Sequence, residues 1–390
     1  MGVSCFHPEC LNIPKAIWYK LCTDMDIILY LRMTMNTKSI MLGAVAICGG
    51  VMAASACTGI SLKAKDGSYV QARTIENANE PLQSEYVIIP RGQEITSFTP
   101  VGRNGLTYKA KYGVVGLSVV RKEFIAEGVN EAGLSAGLFF FPTYGSYMSY
   151  DATDSAHTLG DLQVPTWILA NFATIDELKV GIKNVRIVGL DKTAVVHWRI
   201  GEKSGRQVVL EIVNGKPHFY ENTVGVLTNA PGFQWHVTNL NNYVNLRAGS
   251  AADERLSGVT LSPLGGSSAM LGLPGDATSP SRFVRAAFLK ATAPVQTTGV
   301  DTILQAFHLL NNFDVPIGIE HPAGQVPNMP SATQWTSAID LTNGKVYYKT
   351  MYNNTIRCID LTKIDFERVA YQSYPLDREQ QQPIENILIR

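Results

Sequence analysis

The residue best suited to chemistry in this sequence is Cys57, because of what precedes it and what it would become. Residues 35–56 have the pattern of a cleavable export signal that ends in Ala54-Ser55-Ala56. Cleavage there would make Cys57 the first residue, with both a thiol and a free α-amine. An α-amine titrates near ~7.7–8.0 and a thiol near ~8.5, so the two can exchange a proton around neutral pH. Such a residue is a nucleophile with its own base, which suits the cleavage of an amide.

The first 56 residues are predicted to be a leader that is absent from the mature protein. Residues 1–32 carry several charges and match no signal-peptide pattern, so we expect the true start at Met33 or Met35. From Met35 a short polar stretch precedes the uncharged residues 39–53, which is the order of a secretory signal. We therefore expect a protein exported to the periplasm or the medium.

Two other fates of the leader stay open. If it is not cleaved, its apolar segment of about 18 residues is barely long enough to anchor the chain in a membrane. If Cys57 is lipidated, the protein is a membrane-tethered binding lipoprotein without catalysis. Ala54 stands where such lipoprotein signals usually have Leu, so plain cleavage is favoured. The mature chain, 57–390, is then expected to be a single catalytic domain with a polar C-terminal tail and no integral membrane domain.

The composition is that of an ordinary globular chain. Hydrophobic residues make up 45% and charged residues 17%, and the mean hydropathy is +0.02, so a packed core is expected. Lys plus Arg and Asp plus Glu number 33 each. A chain without excess positive charge has no electrostatic footprint for nucleic acid, and we expect no such partner.

Cysteine usage also separates the leader from the mature chain. Only Cys57 and Cys358 lie after residue 56, too few for a disulfide framework and without metal-binding spacing. Cys358 falls in the alternating run 355–360, which predicts a buried strand position. The histidines are scattered without HExxH spacing. The sequence therefore predicts neither a metal nor an organic cofactor.

The elements that must position Cys57 are mostly strands. Asp-Gly or Asn-Gly turns between alternating runs predict three hairpins, at 59–64 with 69–74, 207–213 with 217–220, and 335–341 with 346–351. Helical spacing predicts fewer helices, at 159–172, at 178–182 after a capping box of Thr174 and Glu177, at 281–291 and at 300–312. Hairpins with a few helices indicate an α+β fold of antiparallel sheets covered by helices.

A second nucleophile competes with Cys57. Residues 133–137 read GLSAG, which fits the G-x-S-x-G nucleophile elbow and would make Ser135 the nucleophile of a serine hydrolase. An elbow needs a strand before it and a helix after it. Here the motif leads into a strand-like run that ends at Pro142, so a chance match is favoured.

Over residues 57–365 the chain resembles the choloylglycine hydrolases, which include conjugated bile acid hydrolases and penicillin V acylases. The resemblance is carried by CTGIS from residue 57, RTIE from 73, EGVNEAGL from 127, LTNAP from 227, TNLNNY from 238, and GLPGD from 272 with SRFVR from 281. It implies a four-layer αββα sandwich of the N-terminal-nucleophile (Ntn) hydrolases, a small-molecule amide substrate and a homo-oligomer, which in the family is a tetramer.

The resemblance also implies a set of catalytic residues, which are Cys57, Arg73, Glu76, Asn229 and Arg282. An arginine near the thiol favours the thiolate. A carboxamide N–H stabilises the tetrahedral oxygen, an effect worth about 2.7–4 kcal/mol in a comparable site. Glu76 stands where the family usually has Asp to orient the α-amine. Arg282 is the expected second arginine.

The pattern departs from the bile acid hydrolases at Phe139, Phe140 and Phe141, where those enzymes have Asn after Ala-Gly-Leu. A main-chain N–H at this place can still serve the oxyanion, because it does not depend on the side chain. An aromatic wall suits a flat acyl group, so the sequence favours penicillin V, with its phenoxyacetyl group, over conjugated bile salts. Alternatively, these rings are core residues that point away from the site.

Overall fold

The three hairpins expected from their turns are present, and their strands belong to two antiparallel sheets. The computed structural model describes residues 56–389 apart from 192–193, 322–323 and 325–327. Except for Ala56, the predicted leader lies outside the described residues. None of the described helices is long and apolar enough to cross a membrane.

The described strands, in chain order, are β1 (Cys57–Lys63), β2 (Tyr69–Glu76), β3 (Ser84–Ile89), β4 (Glu94–Thr96), β5 (Thr107–Lys109), β6 (Val114–Val119), β7 (Arg121–Asn130), β8 (Leu134–Phe140), β9 (Thr158–Gly160), β10 (Arg186–Val188), β11 (Val196–Glu202), β12 (Gln207–Val213), β13 (Lys216–Glu221), β14 (Val226–Leu227), β15 (Glu254–Leu256), β16 (Val259–Leu261), β17 (Thr333–Asp340), β18 (Lys345–Thr350), β19 (Asn353–Asp360) and β20 (Gln372–Pro375). The α-helices are α1 (Val164–Asn171), α2 (Ile175–Gly181), α3 (Phe233–Asn239), α4 (Ser279–Thr292) and α5 (Gly299–Leu310). Short 3₁₀ turns are Ala152–His157, Asp161–Gln163, Ile182–Asn184, Leu240–Tyr243, Ser268–Met270, Asn311–Phe313 and Leu361–Lys363.

The two large sheets form the inner layers of a sandwich. Sheet one has the order β14-β1-β2-β17-β18-β19, and sheet two has the order β13-β12-β11-β8-β7-β6-β3-β20. Helices α4 and α5 pack on sheet one, and α1 packs on β7 and β8 of sheet two. The layers are therefore helix, sheet, sheet and helix, which confirms the predicted αββα architecture.

Local chemistry explains why the hairpins and helices begin and end where they do. The turn between β12 and β13 places Asn214 at φ 52° and Gly215 at φ 70°, the left-handed conformation that Asn-Gly hairpins require. At the start of α2 the Thr174 side chain accepts a hydrogen bond from the Glu177 N–H at 3.1 Å. This is half of the predicted capping box.

Two predictions about the fold, the start of one helix and the burial of Cys358, are wrong. The helix expected over 159–172 begins only at Val164, after strand β9, because Pro165 lies in its first turn and could not sit in a helix interior. Cys358 is exposed rather than buried. It lies on β19, the edge strand of sheet one. An alternating pattern predicts a strand, but a strand at the edge of a sheet can leave both of its faces partly open to solvent.

Candidate active site

Cys57 is the first residue of β1, which lies between β2 and β14 in sheet one. It stands opposite Ile75 of β2 and is only 2% exposed. In the full chain its nitrogen belongs to the peptide bond with Ala56, whose carbonyl accepts a hydrogen bond from the Glu76 N–H at 3.0 Å. Strand pairing therefore holds the chain in place at the bond that processing would cut.

Asn229 follows β14, and its carboxamide contacts Cys57 directly. The Cys57 N–H donates to Asn229 Oδ1 at 2.8 Å, and Asn229 Nδ2 donates to the carbonyl of Phe140 at 2.9 Å. A carboxamide nitrogen has two N–H donors. One N–H of Asn229 is bonded to the Phe140 carbonyl, so the other can donate to a substrate oxygen that binds beside the Cys57 thiol.

Arg282, on α4, joins these two residues. Its guanidinium donates to the Cys57 carbonyl and, through Nη2, to Asn229 Oδ1 at 2.7 Å. Arg285, one helical turn further on, donates to the Pro274 carbonyl at 2.7 Å instead. Of these two arginines, Arg282 is the one that contacts Cys57.

Arg73 lies on β2 and is fully buried between the sheets. Its Nη1 donates to the Ala126 carbonyl at 3.0 Å, and its guanidinium carbon lies 4.1 Å from the centre of the Phe139 ring. Arg73 Nη1 also lies 3.8 Å from Glu127 Oε2. The guanidinium is thus fixed by carbonyls, a ring and a carboxylate before any substrate binds.

Sequence reasoning missed a buried ion pair behind Arg73. Arg199 Nη2 lies 3.2 Å from both carboxylate oxygens of Glu127. A Cβ at Gly137 would lie 2.2 Å from Glu127 Oε2, and one at Gly59 would lie 2.8 Å from Arg199 Nη1. The two strand glycines were the available signal, because a glycine inside a strand often marks a close approach.

Glu76 ends β2 next to the residue that pairs with Cys57 and is 1% exposed. Its Oε1 accepts a hydrogen bond from the Thr333 hydroxyl at 3.2 Å, a contact not expected from the sequence. Burial raises the pKa of Glu76 to about 8, although the nearby Arg282 acts in the opposite direction. At neutral pH this carboxyl is mostly protonated while Cys57 remains joined to Ala56.

Opposing influences act on the Cys57 thiol. Burial is the largest and raises its pKa above the ordinary value, whereas Arg73 lowers it. Arg282 and the Phe140 N–H lower the pKa as well, and Glu76 raises it. The two guanidiniums and the Phe140 N–H therefore favour the thiolate in this buried place.

The three phenylalanines of the sequence motif do not form one aromatic wall. Phe139 and Phe141 are buried between the sheets, where Phe139 packs on Arg73 and Phe141 stacks on His197 with ring centres 4.3 Å apart. Side chains alternate along a strand, so Phe140, which is half-buried, faces the other way. The expectation of an aromatic wall made of three rings is therefore wrong. Only the Phe140 ring is left to contact a substrate, and that contact stays a prediction.

Ser135 is not the nucleophile of an elbow. It lies inside strand β8 rather than at a strand-to-helix turn, and it is fully buried. Its hydroxyl is 2.6 Å from Gln71 Oε1 and 3.2 Å from the Gly201 carbonyl, both acceptors. The serine-hydrolase alternative is therefore contradicted by the position of its own nucleophile.

The assembled groups supply the components of nucleophilic acyl transfer. Cys57 offers a thiol, Asn229 a hydrogen-bond donor, and Arg73 and Arg282 positive charge. In the described part of the chain, no cluster of three or more His, Cys, Asp and Glu side chains is arranged to hold a metal ion.

An αββα sandwich with these groups at the start of an inner strand defines the class of Ntn hydrolases that act on linear amides. The chain belongs to the choloylglycine hydrolase family of linear amide C–N hydrolases, whose family model matches residues 57–374. This confirms the resemblance inferred from the motifs.

The relatives include enzymes named for two substrates. The chain is 32% identical over 334 residues to the bile salt hydrolase/transferase of Clostridium perfringens, covering 83% of this chain and 97% of that protein. It is 26% identical to the penicillin V acylase of Pectobacterium atrosepticum, covering 83% and 86%. A crystal structure of a conjugated bile acid hydrolase variant from C. perfringens has a TM-score of 0.74 at 29% identity, covering 85% of this chain and all of that one.

Proposed function

We propose that the mature protein is an exported amidohydrolase whose nucleophile is the thiol of an N-terminal Cys57. The observation that carries this proposal is the 2.8 Å hydrogen bond between the Cys57 nitrogen and Asn229 Oδ1, which sets a carboxamide beside the nucleophile. The family match, which begins at Cys57 itself, gives independent support.

In the proposed reaction the α-amine of Cys57 takes the thiol proton, and the thiolate attacks the amide carbonyl to form a C–S bond. Asn229 Nδ2 and the Phe140 backbone N–H stabilise the oxyanion. Collapse expels the amine, which receives the proton from the α-ammonium. Water, deprotonated by the Cys57 α-amine, then attacks the thioester carbonyl; the C–S bond breaks, the acid leaves, and the α-ammonium returns its proton to the Cys57 thiolate.

The charged residues have distinct proposed roles. Arg73 favours the thiolate, and Arg282 fixes the Cys57 carbonyl and the Asn229 carboxamide. Glu76 orients the α-amine. Cleavage after Ala56 creates an α-amine close to the Glu76 carboxyl that becomes positively charged when it takes a proton, and an opposite charge favours the ionised form. We therefore expect processing to lower the pKa of Glu76 and to turn it into a partner of the new terminus.

Two substrate classes fit this chemistry, conjugated bile salts and penicillin V. Both are linear amides with an apolar acyl group and an acid on the amine side. The aromatic surface that favoured penicillin V reduces to Phe140, since Phe139 and Phe141 are buried. The relatives with higher identity are named bile salt hydrolases. We therefore propose conjugated bile salts as the first substrate and penicillin V as the second.

An exposed apolar arm supports the proposal of a homo-oligomer. The β15–β16 hairpin carries Leu256, Val259 and Leu261, which are 64%, 59% and 48% exposed. Clustered exposed apolar side chains commonly mark an interaction site. Light scattering on the purified protein would detect the oligomer, and a monomer at all concentrations would reject it.

The proposal is tested on full-length protein expressed in an exporting host. The mass of the mature N-terminus is expected to correspond to unmodified Cys57, whereas an added lipid mass would support the tethered lipoprotein. A thiol reagent is expected to label the active protein and abolish amide hydrolysis, whereas a fluorophosphonate is expected to leave it active. Labelling without any hydrolysis of bile salts or penicillin V would reject both proposed substrates.

A further inference from the structure

We infer that His236 is a positioning residue for this reaction, because its imidazole fixes the backbone of Asn229 and so aims the Asn229 carboxamide at the oxyanion. The inference rests on the proposed function, since it deepens the role given there to Asn229. His236 lies on α3 and is fully buried. No motif in the sequence distinguishes it from the other histidines.

The contact between the two residues is direct. His236 Nε2 lies 2.9 Å from the Asn229 carbonyl oxygen. A carbonyl only accepts hydrogen bonds, so Nε2 carries the proton and donates it. The imidazole also stacks on Phe283 of α4, with ring centres 4.7 Å apart and planes 13° apart. The stack sets the plane of the ring, and the hydrogen bond sets its rotation.

The other nitrogen of His236 indicates that this contact is its main polar role. Nδ1 is buried and has no hydrogen-bond partner among the described residues. Nε2 has one neighbour besides the Asn229 carbonyl, the Ser279 hydroxyl at 3.4 Å. Leaving a buried acceptor unpaired is unfavourable for folding. His236 thus leaves Nδ1 without a hydrogen bond, while Nε2 donates to the Asn229 carbonyl.

Ser279 completes a clamp on the same backbone. Its Oγ accepts a hydrogen bond from the Asn229 N–H at 3.0 Å. Ser279, Arg282 and Phe283 are three and four residues apart and therefore share one face of α4. That face contacts the Asn229 backbone through Ser279, its side chain through Arg282, and the ring of His236 through Phe283.

A clamp on both backbone groups matters because oxyanion donors act by being oriented in advance. A misplacement of about 1 Å can cost about 10²-fold in rate. The pKa of His236 is lowered to about 4, chiefly by burial; His197 and Arg282 also lower it, whereas the Asn229 carbonyl and Glu211 act in the opposite direction. The ring is therefore uncharged near pH 7 and acts as a hydrogen-bond donor rather than as a charge.

The test compares three variants of the mature enzyme in the hydrolysis of glycine-conjugated bile salt and penicillin V. His236→Phe keeps an aromatic ring against Phe283 and removes the donor, and we expect kcat to fall about 10- to 100-fold with KM nearly unchanged. His236→Gln restores an N–H donor and should recover much of kcat. His218→Phe is the control, because His218 is exposed and also stacks on a ring, that of Tyr220.

A double variant distinguishes positioning from a general structural role. If His236 acts through Asn229, adding His236→Phe to Asn229→Ala should lower kcat no further. A full multiplicative loss in the double variant would overturn the inference, as would wild-type kcat in His236→Phe. If His236→Phe does not fold, Ser279→Ala removes the other half of the clamp and should show the same non-additivity; a multiplicative loss there overturns it too.

Crystal structures keep the inference testable if the proposed function fails. Should the wild type hydrolyse neither substrate, the proposed substrates are wrong, and should Asn229→Ala keep full activity, Asn229 has no part in the proposed mechanism. The hydrogen bond from Asn229 Nδ2 to the Phe140 carbonyl is then the readout. We expect it to be lost in His236→Phe and kept in His236→Gln. If it is kept in both variants, His236 does not position Asn229.

Discussion

The backbone N–H of Cys57 donates to Oδ1 of Asn229, a residue 172 positions later in the chain, at 2.8 Å. The contact exists because β1 pairs with the short strand β14, which places Gly59 opposite Leu227. Asn229, two residues after Leu227, then lies level with the start of β1. A two-residue strand thus brings the candidate nucleophile and the candidate oxyanion donor together.

Replacing Asn229 by Ala should lower kcat by about 10²–10³ with a smaller change in KM, because an oxyanion donor acts mainly in the transition state. Steady-state kinetics on the mature enzyme would measure both constants. Asn241→Ala is the matched control, since that side chain is exposed and donates to the Thr238 carbonyl at 2.9 Å, away from Cys57 in the described structure. An unchanged kcat in Asn229→Ala would remove Asn229 from the mechanism.

Cys57→Ala should abolish turnover and leave the thermal transition nearly unchanged, because Ala removes only the sulfur of a buried residue. Ser135→Ala should keep kcat within about twofold of wild type while lowering stability by about 1–3 kcal/mol, since it leaves Gln71 without its hydroxyl donor. Scanning calorimetry beside the activity assay separates the two effects. Loss of turnover in Ser135→Ala with unaltered stability would restore the serine alternative.

The raised pKa of Glu76 predicts a pH dependence of stability in a chain that retains Ala56. An unfolded Glu loses its proton near pH 4.5, whereas folded Glu76 keeps it to about pH 8. Between these values the unfolded state binds fewer protons, so the free energy of unfolding falls as pH rises, by about 1.4 kcal/mol per unit of pKa shift.

Urea unfolding at pH 5 and pH 8 measures this effect. Glu76→Gln carries no titrating proton and should lose less stability over the interval than wild type does. Glu254→Gln, on the exposed hairpin, should behave like wild type. If the free energy of unfolding falls equally between pH 5 and pH 8 in wild type and in Glu76→Gln, Glu76 does not titrate in this range.

The sequence predicted the parts of this architecture that depend on local chemistry. Asp-Gly and Asn-Gly turns with alternating strands gave the three hairpins, and helical spacing gave α4 and α5 nearly to their ends. The exposure of Cys358 could not be predicted, because it depends on β19 being an edge strand. Motif resemblance named Arg282 and Asn229, but the glycines that admit Glu127 and Arg199 can be assigned to these contacts only once β1 of sheet one lies against β7, β8 and β11 of sheet two.

A panel of substrates should show which acyl group the enzyme prefers. With correctly processed enzyme, glycine or taurine release from bile salts should proceed with a higher kcat/KM than 6-aminopenicillanic acid release from penicillin V, because two of the three aromatic rings that favoured a phenoxyacetyl group are buried. A small difference in how two acyl groups fit an apolar pocket changes the activation free energy by only about 1–3 kcal/mol. Faster cleavage of penicillin V would reverse this order and leave the Cys57 mechanism intact.

The most direct test of the central claim compares the chain that begins at Cys57 with one that begins at Ala56. The extended chain keeps the thiol, Asn229 and both arginines, but its Cys57 nitrogen is an amide that cannot accept a proton. Amide hydrolysis is measured for both, and mass spectrometry confirms that Ala56 is retained. The account predicts turnover only for the chain that begins at Cys57. Equal turnover by the extended chain, with Ala56 still in place, would contradict it.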